Sequence, residues 1–379
     1  MSKVIWHIGA WRNNIGDRVL QVANSNILKE RCKKNLEFVY IDIQQTYFSE
    51  NLIDKMNNEA DLVLIGGGGL VFHRPEDRSR SDWQFNIEKK NIRKIKSPIA
   101  IYGIGYNKFP YDNHEFSQKM WEHVQETIDH SDLFSVRNEG TYNVLSEHCN
   151  TQKVEIVPDA GMFIRPDSYY HKCLDNDKLK IGVNWATDRP DQRFESKEDA
   201  SKKMKWFFNA LKKEAENLDA QVYLIDHLLR EERNYIVKDE LHAVAKDILG
   251  DRVHILYKET EEELFPPFDY TAGFFADIYR QMDFVTGMRG HATIIPFGQN
   301  TPCIGLGSHK KVKWFLEHTG LDHLVVTLDG TTDQINKSLH LAVNDVVKNI
   351  DTYKYTMNIR HAELSYIKDA FVDKIIGLL

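Results

Sequence analysis

The segment with the clearest chemical signature is Thr286-Gly287-Met288-Arg289-Gly290-His291-Ala292, which leaves one apolar run and enters another. The pattern reads as a strand turning into a helix, which puts Arg289 and His291 at a helix N-terminus. There the dipole and the first N–H groups favour an anion, and Arg289 adds a fixed cation. Histidine is the side chain best suited to exchange protons near neutral pH. The plainer alternative for His291 is a structural histidine. Gly290, between the two, is a candidate substrate-binding residue of the same segment.

Four further segments place small and polar residues just after strand-like runs. Gly9-Ala10-Trp11-Arg12-Asn13-Asn14-Ile15-Gly16-Asp17 is a Gly/Asn-rich turn entering a helix. It suits a phosphate, a carboxylate or sugar hydroxyls through Asn13, Gly16 and Asp17, unless Asp17 is only a helix cap. The run Gly66-Gly67-Gly68-Gly69 has no lysine or Ser/Thr of a nucleotide-binding P-loop, and neither turn matches the dinucleotide fingerprint. Gly67 and Gly68 are read as cleft-lining glycines at a strand end. Gly103-Ile104-Gly105-Tyr106-Asn107 ends another strand. In Ser135-Val136-Arg137-Asn138-Glu139, Arg137 stands at a strand-to-helix corner, where a guanidinium can grip a carboxylate or phosphate or else pair with Glu139. Asp159, in Val157-Pro158-Asp159-Ala160-Gly161, fits either a base or hydroxyl-positioning group, or an ordinary cap. Lys310, beside Lys311, follows the last such strand and is either a wall of the cleft or a solvated lysine.

These residues need a scaffold that brings successive strand ends together. Short β-rich runs alternate with amphipathic stretches, as in parallel sheets covered on both faces. The pattern predicts strands at 4–8, 36–41, 61–65, 98–103, 133–136 and 154–157, then at 180–184, 221–225, 253–257, 283–286, 302–305 and 324–326. Helices are predicted at 18–33, 114–130, 138–147, 202–217, 231–249 and 271–281. A polar, aperiodic stretch divides the two series. The expected division is an N-terminal Rossmann-like domain at 1–165, a linker at 166–178, a C-terminal Rossmann-like domain at 179–350 and a terminal helix at 351–379 that packs on one domain or crosses between them. Two charged loops, 74–81 and 187–196, follow strand ends and read as solvated loops or as a substrate lid. Trp6, Trp11, Phe72, Trp83 and Trp185 near strand ends are core residues or sugar-stacking ones.

The chain has 379 residues, 42% hydrophobic and 28% charged, enough for two ordinary cores. With 49 basic and 56 acidic residues the net charge is −7, so no global basic field recruits nucleic acid. The longest apolar runs are strand-sized, which argues against a membrane span. Four scattered cysteines suggest reduced thiols, with neither a disulfide frame nor a metal-ligand set. The expected setting is the cytoplasm.

The ordered set Gly9…Asn13…Gly16-Asp17, Gly66–Gly69, Gly103-Ile104-Gly105, Ser135-Val136-Arg137-Asn138, Pro158-Asp159 and Arg289-Gly290-His291 resembles the polysaccharide pyruvyltransferases, over roughly residues 4–320. The resemblance implies a GT-B-like fold, two Rossmann-like domains facing across a cleft, with the acceptor on the N-terminal side and the donor on the C-terminal side. It implies phosphoenolpyruvate as donor, and as acceptor a saccharide that is free, nucleotide-linked or lipid-linked. It implies donor contacts by Arg137, Arg289 and His291. No redox or nucleotide cofactor is implied, and a homo-oligomer is compatible with it. The competing readings are a GT-B glycosyltransferase using a nucleotide sugar and a non-catalytic carbohydrate-binding protein.

Overall fold

A computed structural model describes residues 2–11, 14–74, 80–168, 170, 172–228, 235–256 and 268–379, with no side-chain description for 235–238 and 268–271. Asn13, one of the candidate site residues, lies outside the described residues. So do much of the 74–81 loop and the start of the helix expected from 231.

The alternating pattern folds into two sheets of six parallel strands. The first holds β1 Lys3–Gly9, β2 Leu36–Asp42, β3 Leu62–Val71, β4 Ile99–Tyr106, β5 Leu133–Val136 and β6 Val154–Ile156 in the order β2-β1-β3-β4-β5-β6. The second holds β7 Lys180–Asn184, β8 Gln221–Leu224, β9 Val253–Ile255, β10 Phe284–Gly287, β11 Cys303–Gly307 and β12 Val325–Thr327 in the order β12-β11-β10-β7-β8-β9. Strands covered on both faces must be apolar throughout, and the cores of β3, β4 and β10 are buried along their length.

In each sheet the strand order reverses at one crevice, between β1 and β3 and between β7 and β10. Chains leaving such a pair turn to opposite faces and open a space beyond the strand ends. The segments after β1, β7 and β10 and the distal part of β3 border these two crevices, and they carry Asp17, Asp188, Arg289–His291 and Gly67–Gly68 respectively.

The glycine run does not end β3 as expected. The strand continues to Val71, with a register shift between Gly68 and Val71. Helix Ile15–Arg31 presses on this stretch: a Cβ on Gly66 would lie 2.5 Å from Gln21 Oε1 and 2.7 Å from His7 Nε2, and one on Gly67 would meet Leu20 at 2.9 Å. Gly68, at φ +82°, takes the left-handed conformation that the irregularity needs.

Several contacts lock the halves together. Helix Ile350–Gly377 reaches both: Arg360 Nη2 donates to the His318 main-chain oxygen at 2.7 Å, and Asp373 pairs with Arg31 at 2.7 Å. His318 Nδ1 lies 2.7 Å from Glu139 Oε2, across the boundary. Nearer the site, helix His291–Gly298 lies on the 3-10 turn Ala160–Phe163, and a Cβ on Gly298 would overlap the Met162 carbonyl oxygen. Backbone cannot give way as a side-chain tip can, so Gly298→Ala should cost about 1–3 kcal/mol. A lowered urea midpoint checks this; an unchanged midpoint would contradict so tight an approach.

Candidate active site

The C-terminal ends of the two sheets enclose a cavity of about 730 Å³ lined by both halves. Gly16, Asp17 and His291 meet where β1 and β10 hand over to their helices. Asn14 caps helix Ile15–Arg31, accepting from Gly16 N at 3.0 Å, and Ile15 N donates to the His227 main-chain oxygen at 2.8 Å. The cap is therefore Asn14, and Asp17 is left to line the cavity. Gly16 must be glycine, since a Cβ there would lie 2.5 Å from the Cβ of His291.

His291 opens its helix between two carboxylates: Nδ1 is 3.6 Å from Asp17 Oδ1, and Nε2 is 3.6 Å from Asp159 Oδ2. Both separations exceed a hydrogen bond, and Nε2 is buried without a partner in the described structure. Asp159 is the cap that one of its sequence readings expects, and its second oxygen holds an arginine. Oδ1 caps the 3-10 turn by accepting from Gly161 N at 3.0 Å, while Oδ2 accepts from Arg137 Nη1 at 3.1 Å. Arg137 thus pairs with Asp159, and Glu139 pairs with His318. Burial pushes the Asp159 carboxyl up, but His291, Arg137 and the Gly161 N–H outweigh it and hold the carboxyl down at about 2.

Arg289 is fixed through its main chain, whose N–H donates to Asn184 Oδ1 at 3.3 Å, and through Nη2, 2.5 Å from Asp188 Oδ1. The first N–H groups of its helix are partly occupied: Ala292 N and Thr293 N donate to the Arg289 and Gly290 carbonyls at 3.0 Å. Charged side chains therefore supply much of the positive field expected of that helix end. Gly67, Gly68 and Gly290 line the cavity.

Lys310 is a correction. It is exposed and does not line the cavity, whereas Lys311 does, with Nζ 3.0 Å from Asn107 Oδ1. One residue is about 100° of helix rotation, so only one of two adjacent lysines at this helix start can face inward. Burial and the nearby Arg193, Arg137 and Arg289 press the Lys311 ammonium well down, against a lift from Asp188.

The sequence also hides Asp188 and Arg193. Asp188 Oδ1 accepts from Arg193 Nη2 at 3.0 Å as well as from Arg289. Burial raises the Asp188 carboxyl, but the cations around it win and leave it strongly depressed. The signal was the charged loop 187–196, which reads either as solvated or as a substrate lid because no apolar periodicity marks its inward residues. Of the aromatic candidates, Trp6, Trp11, Trp83 and Trp185 are buried in the cores, and Phe72 lines the cavity. Arg74 donates to the main-chain oxygens of Ile43, Gln44 and Gln84.

Among the described residues no group of three or more His, Cys, Asp or Glu is arranged to hold a metal ion. No helix among them is long and apolar enough to cross a membrane.

Asp159 ties Arg137 and His291 to one buried charge, so Asp159→Asn should destabilise by about 3–5 kcal/mol at neutral pH. Its folded pKa, about 2, lies below an unfolded value of about 3.9. The stability it contributes is thus complete above about pH 4 and is lost as pH falls towards 2. Urea unfolding of both proteins should show the gap narrowing over that window; a gap independent of pH would contradict the assignment.

No curated protein sequence matches the chain. Its solved structural neighbours include a Staphylococcus aureus MnaA–UDP co-structure (14% identity, TM-score 0.52, 94% of this chain and 91% of that one). A Methanocaldococcus jannaschii UDP-GlcNAc 2-epimerase with UDP-GlcNAc and UDP is similar at 12% identity and TM-score 0.51, over 91% of this chain and 93% of that one. An α,α-trehalose-phosphate synthase (UDP-forming) from Burkholderia vietnamiensis is similar at 11% identity and TM-score 0.55, over 100% of this chain and 97% of that one. At such identities the likeness establishes the fold, which is GT-B: two parallel six-stranded sheets, covered by helices, facing across a cleft. The family model for polysaccharide pyruvyl transferase matches residues 14–310, and the chain belongs to that family.

Proposed function

We propose that this protein moves a pyruvyl group from phosphoenolpyruvate to two hydroxyls of a sugar, forming a cyclic ketal and releasing phosphate. The observation that supports this reading most is the meeting of Arg137, Arg289 and Lys311 in one cavity with a histidine held between two carboxylates. The donor carries a carboxylate and a phosphate on adjacent positions. Fixed guanidinium groups lining the site neutralise such charge without reorganising during the reaction.

In the proposed reaction a proton reaches the methylene carbon of the donor while a sugar hydroxyl attacks the carbon bearing the phosphate. The carbon–oxygen bond to phosphate then breaks, and the second hydroxyl closes the ring. Of the two hydroxyl protons released, one balances that delivered to carbon and the other leaves with phosphate. His291 is the proton carrier, with its ring oriented by Asp17 and Asp159. Arg137 and Arg289 bind the donor, and Asp159 acts through both Arg137 and His291. The chemistry needs no redox or nucleotide cofactor. The cavity is far larger than a three-carbon phosphate, and Gln44, Phe72 and Gln84 in its lining offer amides and an aromatic ring to a saccharide.

Thermal unfolding with phosphoenolpyruvate, phosphate, nucleoside diphosphates and nucleotide sugars tests the reading. Phosphoenolpyruvate should raise the unfolding temperature of the wild type and leave that of Arg289→Ala unmoved. His291→Ala should still bind the donor and unfold cooperatively, yet lose turnover by at least about 10²-fold. Stabilisation by a nucleotide sugar alone would replace this reading with a glycosyltransferase, and saccharide binding without phosphate release would replace it with a binding protein.

A further inference from the structure

Loop 187–196 contributes a side chain that neither the family motifs nor the reaction above uses. Arg193 ends the short helix Pro190–Arg193 with 1% of its side chain exposed, and its Nη1 has no hydrogen-bond partner in the described structure. Its other nitrogens are held. Nε donates to the Asp188 main-chain oxygen at 3.0 Å, and Nη2 reaches Asp188 Oδ1 and Oδ2 at 3.0 and 3.3 Å. The guanidinium carbon lies 4.8 Å from the ring centroid of Phe109.

Counter-charge is short in this wall of the cavity. The Oδ1 atom that accepts from Arg193 also accepts from Arg289, so Asp188 serves two buried guanidinium groups. Asp159 is taken by Arg137, and Lys311 has the neutral amide oxygen of Asn107. A buried cation lacking full pairing is unfavourable in the free protein. Burial and Arg289 accordingly press the Arg193 pKa down to about 10, although Asp188 supports it.

We propose that Arg193 binds the oxyanion that enters this cavity, so that the segment carrying Asp188 and Arg193 completes the anion site formed by Arg137, Arg289 and Lys311. The inference rests on an anionic donor such as phosphoenolpyruvate and adds a binding residue from a segment outside the motifs. Asp188 then holds the guanidinium in place between turnovers while leaving the Nη1 hydrogens for the ligand.

Arg193→Met keeps the apolar stem against Phe109 and removes the charge. A structural arginine and a ligand-binding one predict opposite results for this variant. The ligand role predicts an unliganded unfolding temperature unchanged or raised, because the charge excess is relieved, together with an apparent affinity for phosphoenolpyruvate at least tenfold weaker. Arg193→Lys should recover part of that affinity. If Arg193→Met does not fold, Arg193→Lys alone decides: native unfolding temperature with severalfold weaker affinity supports the role, and unchanged affinity overturns it. Wild type and Arg193→Met stabilised alike by phosphoenolpyruvate would remove the subsite and leave the donor. Wild type unmoved by phosphoenolpyruvate but stabilised by pyrophosphate in an Arg193-dependent way would remove the donor and leave the subsite.

Discussion

Positive charge gathered on largely buried side chains is the constraint on which the rest of the site depends. Arg137, Arg193, Arg289 and Lys311 all line one cavity; Asp159 and Asp188 among them are each already engaged, and Asp17 stands beside His291. Such a cluster opposes folding unless the surrounding scaffold is stable enough to hold it. Two fully packed sheets, joined by the long terminal helix and by the contact of Gly298 with Met162, provide that stability. The site is built across the boundary between the halves: Arg137, Asp159 and Asp17 come from the first sheet's segments, and Arg289, His291 and Lys311 from the second's. Neither half carries the chemistry without the other.

The same arrangement explains why the residues nearest His291 are small. Gly16 lets the imidazole approach the first half, and Gly105 leaves room for the Arg137 guanidinium. Each glycine trades backbone entropy for a close approach between charged groups. Asp159 is the hinge of this geometry, because one oxygen fixes its own turn while the other fixes Arg137 and faces His291.

Much of this was legible in the sequence, and for a physical reason. Central strands buried on both faces must be written as continuous apolar runs and stand out, whereas edge strands such as β2 and β6 are only partly buried. The motifs at the strand ends carry rare combinations such as Arg289-Gly290-His291. What depends on rotation about a helix axis was not legible: Lys310 and Lys311 are equivalent as letters, and only the helix start decides which faces inward. Asp188 and Arg193 were hidden for a different reason, since a loop whose charges face each other has the same composition as one whose charges face water. The glycine run reads as lining at a strand end, whereas Gly66 and Gly67 lie inside β3 where helix Ile15–Arg31 packs on it.

The proposed reaction transfers the pyruvyl carbon skeleton and protonates its methylene. Incubation with phosphoenolpyruvate and a panel of free, nucleotide-linked and lipid-linked saccharides in D₂O, followed by NMR of product and phosphate, tests it directly. The account predicts phosphate release matched by a ketal whose methyl group carries one deuterium, both absent with His291→Ala. Consumption of a nucleotide sugar with release of nucleoside diphosphate, and phosphoenolpyruvate left intact, would contradict it.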